Sequence, residues 1–239
     1  DIVGATVVRD LEPGEMLIIE KNGIRSEMPF QQVAPRFCVF EYVYFSRPDS
    51  IVEGRGVYHA RKAIGGELAS ESHIDADLII PVPDSGVPAA LGYAEKSAVP
   101  FDLGIIRNHY VGRTFIQPTQ NGRTDSVKLK HNANPAAVKG KRIVLVDDSI
   151  VRGTTSRKIV TMMRNAGAAE VHMRIASPPT THPCFYGVDT PSQDQLIAAR
   201  MTVDEIATEI GVDSLAFITV DGMYKAIGDM ARNNDQPQF

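Results

Sequence analysis

The chain has 239 residues and a formal net charge of −4, with 43% hydrophobic and 23% charged residues. These values are ordinary for a globular protein, and the acidic balance argues against a general binder of nucleic acids. No apolar run approaches the ~20 residues of a membrane span and no signal peptide is recognisable, so we expect a cytoplasmic protein without membrane partners. Two cysteines, Cys38 and Cys184, are too few for a disulfide scaffold or a four-cysteine metal site.

The amino-terminal stretch predicts a small β unit. Two strand-like runs flank a Lys-Asn-Gly sequence at residues 21–23, which is a typical hairpin turn. Two prolines, Pro29 and Pro35, then mark a connector. We therefore expect residues 1–34 to form a unit separate from residues 35–239.

An aromatic run, FCVFEYVYF at residues 37–45, follows the connector. Its composition predicts β structure, and an aromatic run without interleaved basic residues is more typical of a core than of a platform for stacked bases. The pattern becomes helical over residues 57–70, with Arg61, Lys62 and Glu67 on the predicted surface.

A first strand, loop and helix unit follows. Residues 78–80 predict a buried strand that runs into the small-residue loop of Asp84, Ser85 and Gly86, and residues 87–96 have helical spacing. On its own this is an ordinary turn between a strand and a helix. A second loop of the same kind lies further along the chain, and the two together predict paired anion-binding loops on one edge of a sheet.

A basic stretch without periodicity follows a short predicted strand at residues 103–106. Residues 107–142 hold eight of the 25 basic residues of the chain and a single acid, Asp125. An aperiodic run of this length in a compact domain is either functional or disordered. Two interpretations stay open, a cationic lid over an anionic ligand and a solvated basic loop.

Residues 141–167, KRIVLVDDSIVRGTTSRKIVTMMRNAG, contain the most informative pattern of the chain. The apolar run at residues 143–146 is typical of a strand buried on both faces, and Asp147 and Asp148 end it. A loop with several hydroxyl side chains then leads into a helical pattern that ends near Gly167. The unit is therefore a strand, an acidic and hydroxylated loop, and a helix.

The position of this loop predicts a phosphate site. It follows the carboxyl end of a parallel strand and precedes a helix amino terminus, where free N–H groups attract anions. Two acids are unexpected beside a phosphate, which is also negatively charged. Their mutual repulsion alone is roughly 3 kcal/mol at about 5 Å and an effective dielectric of about 20. A phosphorylated sugar that carries Mg²⁺ would offset the repulsion through the cation and the sugar hydroxyls. The alternative is that Asp147 and Asp148 only cap the helix.

The remainder of the chain continues the alternation of strands and helices. Residues 171–176 and 215–220 predict strands, residues 192–199 predict a short helix, and Thr202 and Glu205 have the spacing of a capping box at a further helix. Such alternation predicts an α/β fold, with a mainly parallel sheet and helices on both of its faces.

The string VLVDDSIVRGTTS at residues 144–156 resembles the phosphoribosylpyrophosphate (PRPP) motif of type I phosphoribosyltransferases. Its residue sequence is similar to the corresponding motif of the glutamine PRPP amidotransferase family. The strings EYVYFSRPDS, NHYVGRTFI and YGVD also resemble signature sequences of that family. The resemblance covers essentially the whole chain. It implies a type I phosphoribosyltransferase fold with a small β remnant at the amino terminus.

The resemblance also implies the residues that hold PRPP. Mg²⁺ would be bound by Asp147, Asp148 and Ser85, and the two carboxylates would also contact the ribose hydroxyls. The 5-phosphate would be held by residues of the central loop and helix start, namely Ser149, Val151, Arg152, Gly153, Thr154, Thr155 and Ser156.

Two further groups complete the implied site. The pyrophosphate would lie on the turn of Asp84, Ser85 and Gly86, with Arg107 beside it. Residues 107–131 would form the lid that closes over PRPP, and its implied contacts are Tyr110, Arg113 and Lys130.

The implied reaction transfers the phosphoribosyl group of PRPP to ammonia and gives 5-phosphoribosylamine and pyrophosphate, the first step of purine biosynthesis. In the family the ammonia comes from an amino-terminal glutaminase domain, of which residues 1–34 resemble only the trailing strands, so glutaminase activity is not expected from this chain. Feedback inhibition by purine nucleotides and a homotetramer are also implied. Two alternatives stay open, a base-specific phosphoribosyltransferase and a non-catalytic PRPP-binding regulator.

Some members of the family hold a 4Fe-4S cluster on four cysteines. Cys38 and Cys184 match two of those positions, and the other two would lie near or beyond the end of this sequence. The resemblance therefore implies a cluster only for a longer protein.

Overall fold

A computed structural model of the chain describes residues 4–31, 37–108, 131–185 and 187–228. The chain divides into two compact units, one of Asp1–Cys38 with Gln236–Phe239 and one of Val39–Asp235. In the first unit, β1 (Met16–Glu20) and β2 (Gly23–Glu27) pair antiparallel, as the hairpin turn predicts. The assignment of residues 1–34 to the end of a glutaminase domain stays a prediction.

The second unit contains the remaining strands and the helices. Its strands are β3 (Ile51–Val52), β4 (Arg55–Gly56), β5 (Leu78–Pro81), β6 (Ile105–Arg107), β7 (His131–Ala133), β8 (Arg142–Asp147), β9 (Glu170–Ile175) and β10 (Ser214–Phe217). Its α-helices are α1 (Val57–Glu71), α2 (Val87–Ser97), α3 (Pro135–Val138), α4 (Thr154–Asn165), α5 (Val203–Ile210) and α6 (Val220–Gly228).

A four-stranded parallel sheet forms the centre of this unit. Its strand order is β10, β9, β8, β5, and Pro81 of β5 lies opposite Val146 of β8. Residues of β8 alternate between two cores. Ile143 and Leu145 pack with α3, α4 and α5, whereas Val144 and Val146 pack with α1, α2 and α6. The sheet is therefore covered by helices on both faces, as predicted.

The helix that follows the central loop also behaves as its pattern predicts. Ile159, Val160 and Met163 of α4 are buried in the first core, and Gly167 has the positive φ expected just past a helix end. The capping box at α5 is present, because Thr202 and Glu205 each bond the backbone N–H of the other. No α-helix within the described residues is long and apolar enough to cross a membrane.

The aromatic run departs from its prediction, because Glu41–Phe45 is a π-helical turn rather than β structure. Two side-chain contacts hold this turn: the guanidinium of Arg61 donates to the carbonyls of Tyr42 and Ser46, and the Tyr42 hydroxyl donates to the carbonyl of Val52. The aromatic composition predicted burial correctly for Tyr42. It could not reveal the long-range bonds that curl the backbone.

Two further segments differ from the sequence prediction. The stretch predicted as aperiodic contains β7 and α3 at its end, where β7 pairs with β6. Residues 192–199, predicted as one short helix, form two 3₁₀ turns, Gln193–Gln195 and Ile197–Ala199, because Leu196 between them is extended and fully buried. Short elements of this kind have too few residues to show a period.

The packing of α1 on α2 gives a direct test of the fold. A Cβ atom built on Gly65 would lie 1.9 Å from the carbonyl oxygen of Ala89, whereas one on the neighbouring Gly66 would meet nothing closer than 3.7 Å. We expect Gly65→Ala to lower the free energy of unfolding by about 1–3 kcal/mol or more through overpacking. Gly66→Ala, as the matched control, should raise it by up to about 1 kcal/mol through helix propensity. Urea unfolding measures both, and equal stability of the two variants would contradict the described helix contact.

Candidate active site

The two loops predicted to bind anions leave the same edge of the sheet. β5 and β8 are parallel neighbours, and the N–H of Val82 donates to the carbonyl of Val146 at 2.9 Å just past their paired ends. The Ser85 turn, residues 82–86, therefore begins beside the strand end that carries Asp147 and Asp148.

Gly86 allows the Ser85 turn to fold against β8. A Cβ atom at this position would lie 2.4 Å from the carbonyl oxygen of Val146 and 2.8 Å from that of Val82. Both neighbours are backbone atoms and cannot rotate aside. Any larger residue at position 86 would therefore push the turn away from the strand end, which explains a glycine at this point of the predicted pyrophosphate loop.

The carboxylates of Asp147 and Asp148 are buried, with 8% and 7% of the residue exposed. The backbone N–H of Asp148 donates to Asp147 Oδ1 at 2.9 Å, and the hydroxyl of Ser149 donates to Asp148 Oδ1 at 2.8 Å. The Ser85 hydroxyl lies close enough to the Asp148 carboxylate to lower its pKa. The structure thus brings Ser85 next to Asp148, as the predicted site requires.

Burial raises the pKa of both carboxyl groups above their usual range. For Asp147 the main cause is the loss of water, and the neighbouring charge of Asp148 adds to it. For Asp148 the loss of water again dominates, while hydrogen bonds from Ser85 and Ser149 and the positive charge of Arg61 lower the pKa and offset part of the effect. The pair therefore resists carrying two negative charges in the absence of a cation.

Arg61 is a functional candidate that the sequence analysis missed, because it was placed on the helix surface. It is buried, and its Nε and Nη2 donate to the carbonyls of Tyr42 and Ser46 at 2.7 and 2.8 Å. Burial lowers its pKa, and the charge of Asp148 raises it. Its spacing of four from Val57 and three from Ile64 would have placed it on the buried face of α1.

Asp84 and Arg107 form an ion pair that connects the Ser85 turn to the end of β6. The Nε of Arg107 is buried and has no hydrogen-bond partner within the described residues. A buried donor of this kind costs free energy unless something accepts its hydrogen bond. An anion on the Ser85 turn is a suitable acceptor.

The central loop ends at a helix amino terminus, as predicted. Gly153 precedes α4 with a φ of +75°, and the hydroxyl-bearing residues Thr154, Thr155 and Ser156 form the first turn. The first N–H groups of a helix have no partner within the helix and carry partial positive charge. This turn can therefore hold a phosphate next to Asp147 and Asp148.

The predicted lid is only partly described. Its ends pair with each other, since Arg107 of β6 lies opposite His131 of β7. Tyr110, Arg113 and Lys130 lie outside the described residues.

The donor set near the strand end fits Mg²⁺. Two carboxylates and a serine hydroxyl are hard oxygen ligands, which Mg²⁺ prefers, and Mg²⁺ commonly takes its remaining ligands from water and substrate phosphates. The described residues contain no group of three His, Cys, Asp or Glu side chains able to hold a metal by themselves.

The two cysteines lie in different compact units. Cys38 is exposed and belongs to the first unit, and Cys184 is partly buried in the second. The 4Fe-4S cluster implied for a longer protein stays a prediction.

Comparisons with known proteins agree with the fold and the motif. A family model described as the phosphoribosyl transferase domain matches residues 56–177. The amidophosphoribosyltransferase of Rhizobium etli is 57% identical over 245 residues, which cover 100% of this chain and 49% of the relative. That of Bacillus subtilis is 55% identical over 228 residues, which cover 95% of this chain and 48% of the relative. The chain thus spans about half the length of the curated relatives it matches.

Two solved structures are also similar over nearly the whole chain. One, described as the allosteric regulatory enzyme of purine biosynthesis, superposes with a TM-score of 0.82 at 54% identity and covers 99% of this chain and 50% of its own. The other is glutamine PRPP amidotransferase from B. subtilis complexed with ADP and GMP. It superposes with a TM-score of 0.81 at 54% identity, and the match covers 98% of this chain and 51% of the solved chain. The predicted type I phosphoribosyltransferase fold is thereby confirmed, and the chain belongs to the amidophosphoribosyltransferase family.

Proposed function

We propose that this chain carries out the phosphoribosyl-transfer half of the amidophosphoribosyltransferase reaction. PRPP and ammonia would give 5-phosphoribosylamine and pyrophosphate, the first step of purine biosynthesis. The observation that carries the proposal is the buried carboxylate pair, which lies next to the Ser85 turn and is followed by a helix amino terminus. The names of the relatives support it, although each is about twice as long as this chain.

In this proposal, each part of PRPP binds to a different element. The first turn of α4 and the loop before it would hold the 5-phosphate through N–H groups and hydroxyls. Asp147 and Asp148 would accept hydrogen bonds from the ribose hydroxyls. The Ser85 turn and Arg107 would hold the pyrophosphate, and Arg107 would then exchange its ion pair with Asp84 for the ligand.

Asp147, Asp148 and the Ser85 hydroxyl would hold Mg²⁺. When bound, Mg²⁺ neutralises charge on the departing pyrophosphate. The cation would also remove the repulsion between the two carboxylates, which is roughly 3 kcal/mol at about 5 Å and an effective dielectric of about 20. Metal and substrate binding should therefore be coupled.

To catalyse this reaction, the chain would need to stabilise charge and to exclude water. Ammonia is already a good nucleophile and needs no general base to attack C1 of the ribose. As pyrophosphate departs, positive charge would develop on the ribose, and the carboxylates of Asp147 and Asp148 would stabilise it. Closure of the predicted lid, with Tyr110, Arg113 and Lys130, would keep water from competing with ammonia.

The partners of the reaction are also part of this proposal. Ammonia would come from a glutaminase domain, and purine nucleotides would inhibit by feedback, which agrees with a solved relative that holds ADP and GMP. The homotetramer and the cytoplasmic location stay predictions.

Release of pyrophosphate from PRPP tests the proposal directly. With Mg²⁺ present, we expect this chain to release pyrophosphate at a rate that rises and saturates with ammonium, because ammonia is the acceptor. Free purine and pyrimidine bases should not replace ammonium. Turnover that depends on a base would identify a base-specific phosphoribosyltransferase, and PRPP binding without turnover would identify a regulator.

Asp148→Asn tests the role of the carboxylates in turnover. We expect kcat/KM for PRPP to fall by roughly a hundredfold or more, which is the scale for loss of a group that stabilises transition-state charge. Asp75→Asn is the matched control, since Asp75 is an exposed carboxylate that pairs with Arg142 at 3.3 Å, and it should leave the rate unchanged. Full ammonium-dependent turnover in Asp148→Asn would remove the carboxylates from the mechanism.

Asp147→Asn tests the electrostatic strain of the pair in the absence of Mg²⁺. Because the folded state raises the pKa of Asp147, deprotonation destabilises the fold as the pH rises above the unfolded pKa of about 4. The variant should therefore match the unmodified chain near pH 4 and become progressively more stable than it as the pH rises towards 8. Urea unfolding across this pH range, with Asp75→Asn as control, measures the difference. A pH-independent difference would contradict the raised pKa.

A further inference from the structure

The segment 193–199 lies against the predicted 5-phosphate loop and contacts three consecutive residues of it. The N–H of Ile197 donates to the carbonyl of Val151 at 2.9 Å. A Cβ atom on Gly153 would lie 2.8 Å from Cδ1 of Ile197, so this side chain covers the glycine from which α4 begins. The segment is therefore in position to fix the shape of the loop.

Gln195 holds Arg152, the loop residue between Val151 and Gly153. Its Oε1 accepts hydrogen bonds from both Nε and Nη2 of Arg152, at 3.1 and 3.0 Å. Two donors of one planar guanidinium on a single acceptor fix the direction of the side chain better than one bond would. Arg152 is exposed, so without Gln195 nothing described here would order its side chain on the loop.

The segment can act as a rigid support because it is anchored in the core. Leu196 is fully buried, and Ile197 belongs to the core formed by α4 and α5. Gln195 therefore projects from a fixed backbone, and the loop residues 151–153 adopt their geometry before any ligand arrives. Such preorganisation lowers the ordering cost of binding.

We infer that Gln195 is a positioning residue for the 5-phosphate loop, which it acts on through Arg152. The inference rests on the proposed function and deepens it, because it concerns one half of the PRPP site and not the other. Among the described residues, no hydrogen bond or ion pair joins the Ser85 turn to Gln195. Loss of Gln195 should therefore weaken recognition of the 5-phosphate and leave recognition of pyrophosphate intact.

The test compares two probes that each report on one half of the site, ribose 5-phosphate and inorganic pyrophosphate with Mg²⁺. We expect Gln195→Ala to raise the Kd for ribose 5-phosphate about tenfold, on the scale of one lost charged hydrogen-bond contact, with the Kd for pyrophosphate unchanged. In turnover the KM for PRPP should rise while kcat is kept.

Two variants make the test specific. Gln195→Glu retains an acceptor for Arg152 and should restore ribose 5-phosphate binding. Gln193 lies in the same 3₁₀ segment, and its Nε2 donates to the carbonyl of Thr181 at 3.2 Å. Gln193→Ala should change neither Kd. Its melting temperature shows the effect of losing a glutamine from this segment.

The outcomes separate the two proposals. If the unmodified chain binds neither probe, the proposed function fails, and the inference fails with it. If it binds both and Gln195→Ala weakens neither, or weakens both equally, the proposed function stands and the role of Gln195 is overturned.

Discussion

Asp147 and Asp148 place two like charges side by side at the buried end of β8, and the surrounding structure is arranged to tolerate this until a ligand arrives. The pKa of each carboxyl group is raised, mainly by the loss of water. Hydrogen bonds from Ser85 and Ser149 and the buried charge of Arg61 oppose the increase only at Asp148. In the proposed function, a cation and sugar hydroxyls would offset this cost, which would explain why two carboxylates are kept at a buried strand end.

The topology of the sheet makes the arrangement possible. Because β5 and β8 are parallel neighbours, their following loops emerge together, and Gly86 lets one backbone approach the other closely enough for Ser85 to lie next to Asp148. The segment 193–199 contacts and supports the loop that leads into α4. The two halves of a PRPP molecule would thus bind to two different elements, the Ser85 turn and the loop before α4. The shape of each element is set by different contacts.

The sequence predicted the parts of this site that depend on local pattern. The apolar run of β8, the two acids, the small-residue turn and the start of α4 all follow from residue order, and the sheet edge follows from the alternation of strands and helices. Long-range packing was not predictable in the same way. Arg61 was placed on the surface although it bonds the carbonyls of Tyr42 and Ser46, and these bonds bend the aromatic run into a π-helical turn. The support from Gln195 also comes from a distant and aperiodic segment, where no period exists to be recognised.

Calorimetric titration of this chain with PRPP tests whether the carboxylate pair is a receptor for a metal-bound sugar pyrophosphate. We expect tight one-to-one binding of PRPP with Mg²⁺ present, and binding weakened at least tenfold when Mg²⁺ is chelated, because the two carboxylates then repel the ligand. The same dependence on Mg²⁺ should vanish when Asp147 and Asp148 are both replaced by Asn. If the unmodified chain bound PRPP equally well with and without Mg²⁺, the carboxylate pair would not be such a receptor.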